Sequence, residues 1–91
     1  MNNEIDSFFN RCKELIEQRQ IDYATPQINL ARIAKSWSEY IGIAIGPYDV
    51  CMMMAMLKMS RLCNGYHQDS IEDAACYLAL ASLLSETRIE D

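Results

Sequence analysis

Ninety-one residues, 51% hydrophobic and 23% charged, make one folded domain spanning 1–91, since a second core would leave neither half enough buried surface, and the composition excludes disorder. Thirteen acids against eight bases give a net charge of −5, which excludes a general nucleic-acid binder; no run of bases is available to hold an anionic membrane either. With three Gly and two Pro there is little turn chemistry, so long helices are expected rather than many short strands.

The first helix is expected from about Glu4 to Gln20, with Asn3 as its cap and Glu4 and Asp6 complementing the dipole. Ile5, Phe8, Phe9, Cys12, Leu15 and Ile16 recur at three- and four-residue steps and form one apolar stripe, which Arg19 continues. Arg11, Glu14 and Gln18 fall on the wet side. Thr25-Pro26 is a start signal, a capping hydroxyl followed by a ring that suits the first helical position. The second helix then places Leu30, Ile33, Ala34, Trp37 and Ile41 on one face and stops at Gly42. Ile43-Ala44-Ile45 reads as an extended connector tucked into the core.

Pro47 opens the third helix, with Asp49 in its first turn. From Val50 to Leu57 apolar residues occur on every side, the pattern of a helix surrounded by others; the run is far too short to span a bilayer. Met52, Met53, Met54, Met56 and Met59 crowd this helix, either filling a core or forming an adaptable partner groove. Asn64-Gly65 supplies a left-handed stop. Ser70 is expected to start the fourth helix in a capping-box-like arrangement with Asp73. Short connections imply antiparallel neighbours. The expected fold is all-α, a compact four-helix arrangement with helices three and four as an antiparallel hairpin.

Cys12, Cys51, Cys63 and Cys76 form no C-x-x-C pair. Each falls in an expected helix, where a free cysteine behaves as a small buried hydrophobe. Without paired cysteines or a basic-then-apolar leader, a reducing cytoplasm is the expected compartment and no metal site is assigned.

The segment from Asp49 to Tyr77 carries the most chemistry. Lys58 and Arg61 are three apart at the end of helix three. Past a loop holding His67 and Asp69, Glu72 and Asp73 sit in the first turn of helix four. A hairpin brings these ends together, either as an ion-pair clasp or as a small anion or nucleotide site. In the second case Lys58 and Arg61 donate to phosphate; His67, Asp69, Asp73 and Tyr77 complete the set, with Arg19 and Tyr23 as a second contact. No catalytic residue is assigned. A Cys63–His67 nucleophile pair lacks a third orienting group, and the nucleophile-elbow, zincin and P-loop motifs are all missing. Glu14 and Glu17 read as solvated acids.

Across residues 12 to 84 the chain resembles a group of small phage- and prophage-encoded helical proteins of unknown function. The resemblance rests on Arg19 with Asp22-Tyr23 before Pro26, then Ile33-Ala34, Trp37 and Tyr40-Ile41-Gly42. It continues through Asp49-Val50, Met53, Leu57-Lys58 and Arg61-Leu62 to His67, Asp69-Ser70, Asp73, Ala75 and Tyr77. Ala24 departs from it, where the family pattern has Gly after the Tyr. A looser similarity links the Lys58–Arg61 helix and the following Asp69-Ser70-x-x-Asp73 to MazG-like all-α nucleotide pyrophosphohydrolases. Active members of that group carry paired acidic ligands on adjacent helices, whereas here Glu39 and Asp49 stand alone, so the resemblance implies a copy stripped of its metal site.

Three functions are weighed. The first is a non-catalytic phage binding protein that sequesters or blocks a host component, a host protein or a small nucleotide, as in counter-defence. The second is a nucleotide-binding or MazG-like hydrolysing protein, the one case that would call for magnesium. The third is a structural homo-oligomer. The missing catalytic sets lean the reading away from an enzyme, and no cofactor is expected.

Overall fold

A computed structural model describes residues 2–22 and 25–88. Four α-helices follow in order: α1, Asn2–Asp22; α2, Pro26–Ile41; α3, Pro47–Ser60; and α4, Gln68–Leu83. Two short 3-10 turns, Arg61–Asn64 and Ser85–Thr87, follow α3 and α4. There is no strand among the described residues, and the fold is the expected all-α arrangement with α3 and α4 closely packed.

Local chemistry sets most of the boundaries. The Thr25 hydroxyl accepts the Ile28 amide hydrogen at 3.4 Å and Pro26 takes the first helical position, which satisfies one of the free donors of a helix start. Gly42 ends α2 in the left-handed region at φ 76°, its amide donating to Ser38 O at 2.9 Å; only glycine enters this region without steric cost. The Ser38 hydroxyl donates to Ala34 O at 2.7 Å and accepts from Ile45 N–H at 2.9 Å. That bridge folds the link back and seats Ile45 against the core, while Ile43 and Ala44 stay exposed. Only one residue of the connector is therefore tucked in.

Helices α3 and α4 run antiparallel. Val50 and Cys51, early in α3, share a core with Leu80, Ala81 and Leu84 at the end of α4, and Leu30 and Ala34 of α2 close it. Helix α1 lies across α4, where the Cys12 thiol donates to Glu72 O and the Cys76 thiol donates to Cys12 O at 3.5 Å. Two small side chains at the crossing let the backbones approach closely. Burial pushes the Cys76 thiol up to about 12, with Cys12 beside it adding to the rise; burial alone raises Cys51 to about 11. These thiols stay protonated. Cys63 is instead exposed, because it lies in the 3-10 turn and not in a packed helix.

Two expectations fail at α3 and α4. Helix α3 is not enclosed: Val50, Cys51 and Ala55 are buried, but Met53, Met56, Leu57 and Met59 face outward. Helix α4 starts at Gln68, not Ser70, with His67 as its extended N-terminal flank. Ser70 is fully buried inside the first turn and its hydroxyl has no hydrogen-bond partner among the described residues. Asp73 caps nothing, since its carboxylate is held by two cations.

Candidate functional site: the Asp73 junction and its cavity

Three helices converge on one carboxylate. Lys58 Nζ from α3 lies 3.2 Å from Asp73 Oδ2, and Arg19 Nη2 from α1 lies 3.2 Å from Asp73 Oδ1. With the Asp73 side chain 16% exposed, these contacts are partly desolvated and stronger than surface pairs. Two cations against one carboxylate leave one positive charge over for an incoming anion.

The Arg19 guanidinium also lies 5.7 Å from the centroid of the Tyr77 ring, within cation–π range. Tyr77 is one turn beyond Asp73 on α4, so both reach the same cation. Beside this pair opens a cavity of about 340 Å³, with Ile16, Leu30, Ile33, Met54 and Leu80 as apolar walls and Arg19, Asn29 and Tyr77 as polar groups. Apolar walls with a few convergent polar groups are the usual make-up of a small-molecule site.

A third ion pair closes the neighbouring stretch. Glu72, almost fully buried, takes Arg11 Nη1 at 3.1 Å and Gln68 Nε2 at 3.2 Å on the same oxygen. Arg11 does lie on the wet side of α1, yet its head turns back to this carboxylate.

Of the residues singled out from sequence, Arg19, Lys58, Asp73 and Tyr77 come together. Arg61, His67 and Asp69 do not join them: all three are exposed at the loop end of the hairpin, and no ion pair among the described residues includes them. Arg61 leaves the face it would share with Lys58 because α3 gives way to a 3-10 turn there. Tyr23 lies outside the described residues. The hydrogen bonds of the described residues include none between Cys63 and His67, and no group of three or more His, Cys, Asp or Glu converges to hold a metal there. Sequence reasoning missed Arg11 and the cavity walls. The one available signal was Arg19 at the end of an apolar stripe, a cation where a buried residue was due.

Residues 7–85 match the family described as a domain of unknown function, DUF6378. The chain belongs to that family. The match takes in every residue of the junction and the cavity. The chain is similar to the Gene 55 protein of Mycobacterium phage L5, at 42% identity over 74 residues, 78% of this chain and 47% of that protein. It is also similar to the Gene 55 protein of Mycobacterium phage D29, at 31% identity over 87 residues, 93% of this chain and 58% of that protein. The chain thus spans about half the length of these phage relatives, in keeping with the small phage helical family its residues resemble. No solved structure matches it. Among the described residues, no helix is long and apolar enough to cross a membrane.

Proposed function

We propose that this family member is a non-catalytic binding protein that sequesters a small anionic ligand of the nucleotide class in the cavity beside Asp73. The observation that carries the reading is Arg19, held over Tyr77 in the lining of a cavity whose other walls are apolar apart from Asn29. Its guanidinium offers charge and planar donors to a phosphate, and the walls suit a flat, weakly polar ring. Lys58, paired with the other oxygen of Asp73, keeps the local balance positive.

The chemistry favours holding over converting. The buried thiols are pushed toward the protonated form, and the exposed His67 has no orienting partner among the described residues. A phage protein that withdraws a host nucleotide from use, as in counter-defence, needs affinity and nothing more.

Thermal unfolding against nucleoside mono-, di- and triphosphates and cyclic dinucleotides, with and without magnesium, tests this. A ligand at one hundred times its dissociation constant adds about 2.7 kcal/mol of stability. The expected result is a shift with one class, lost in Arg19→Ala and in Tyr77→Ala. No shift with any of them overturns the reading.

A further inference from the structure

We propose that the face formed by α2 and the outward side of α3 is the interface with a second copy of this chain. Its centre is a shallow apolar groove lined by Ser36, Trp37, Tyr40, Ile41 and Met53. Tyr40 is 92% exposed and Met56, one turn past Met53, is 58% exposed; Leu57 and Ile43 are exposed as well. Between Met52 and Leu57, α3 carries no charged side chain at all.

The exposed area says what kind of partner is needed. A folded monomer of 10.4 kDa exposes about 5,400 Å², whereas this chain exposes 6598 Å². The excess of about 1,200 Å² per chain exceeds the roughly 800 Å² per partner of a standard interface and falls in the range of obligate homodimers. The radius of gyration agrees, at 14.1 Å against about 12 Å for a chain of this length. The interior is correspondingly thin: among the described residues no fully buried side chain is larger than Val50. A second copy of this domain would supply that burial.

The rim fits self-association. Arg32, Lys35 and Glu39 flank the groove on α2, all exposed, so the face carries both signs although the chain as a whole is acidic. A rim of one sign would repel its own copy. A two-fold axis beside Ser36, a small side chain that permits close approach, brings Glu39 of one copy within reach of Arg32 of the other. Such an interface is isologous and closes at two chains.

The test is solution mass by light scattering and sedimentation on the full chain. The wild type is expected at twice the chain mass, about 21 kDa, with a Tm that rises with protein concentration. Met53→Glu with Met56→Glu is expected to give the monomer mass and a Tm that is lower and independent of concentration. Phe9→Ser, an exposed apolar position on α1, is expected to leave the dimer intact. Should the double variant fail to fold, Tyr40→Ser at the groove's edge is expected to raise the dimer dissociation constant at least about tenfold. A wild-type monomer with a concentration-independent Tm overturns the proposal. So does a dimer insensitive to the α2–α3 variants, or a different protein copurifying on this face.

Discussion

The Thr87 hydroxyl accepts the backbone N–H of Tyr48 at 3.0 Å, so the last turn of the described chain caps the first turn of α3 from 39 residues away. Thr87 Oγ1 in turn donates to Leu84 O at 2.6 Å, and Arg88 lies 5.9 Å from the centroid of the Tyr48 ring. Gly46, just before the helix, gives its amide hydrogen to Asp49 Oδ2 at 2.8 Å and stands where any Cβ would strike the Thr87 carbonyl oxygen. Its φ of −108° suits any residue. Space, not backbone freedom, requires the glycine.

Gly46→Ala is therefore expected to push the 3-10 turn off α3 at a cost of about 1–3 kcal/mol, the range for overpacking a filled site. Urea denaturation gives the stability, and faster tryptic cleavage after Arg88 would show that the turn has come away.

Asp73→Asn separates stability from binding. Removing the carboxylate leaves Arg19 and Lys58 facing each other without a counter-charge, so stability should fall by about 1–3 kcal/mol. Anion affinity should rise, because both cations are released to the ligand. Arg19→Ala should weaken binding instead. Calorimetric titration of the ligand found by thermal shift checks both directions.

The thiols make a pH prediction. Burial holds Cys51 and Cys76 at about 11 and 12 in the folded chain, above the ordinary thiol value of 9.0. Folding therefore favours their protonated forms. The thiols' contribution to stability should be flat below pH 9 and decline as pH rises between about 9 and 12, because the unfolded state loses these protons first. Cys76→Ala should flatten the decline. At pH 8 a thiol reagent should modify Cys63 rapidly in the native protein and reach the other three only on unfolding.

Two serines should behave oppositely. Ser38→Ala removes the bridge from Ala34 O to Ile45 N–H and should cost about 1 kcal/mol. Ser70→Ala removes a buried hydroxyl that has no partner among the described residues, so stability should hold or rise by up to about 1 kcal/mol. Denaturant midpoints of the two variants decide it.

What the sequence made legible was chemistry settled within a few residues. Thr25-Pro26 and Gly42 bounded α2 correctly because cap and stop act locally, and the hairpin followed from the short turn after α3. Ser70-x-x-Asp73 misled for the opposite reason. The pattern matches a helix cap, but Lys58 on α3 and Arg19 on α1 claim Asp73, and nothing in a linear pattern shows that α1 crosses α4 at Cys12. Of the residues named from the sequence, Arg19, Lys58, Asp73 and Tyr77 do converge. Arg61, His67 and Asp69 were assigned to it only because sequence distance stood in for spatial distance. The Met-rich run was opaque for a further reason: an apolar stretch reads the same whether its outer side meets its own fold or another molecule.

Trp37, the single tryptophan of the chain, packs against the core on one side and borders the α2–α3 groove on the other. Its indole is therefore a built-in optical gauge. A blue shift of its emission with increasing protein concentration would follow water leaving that groove, with no label attached.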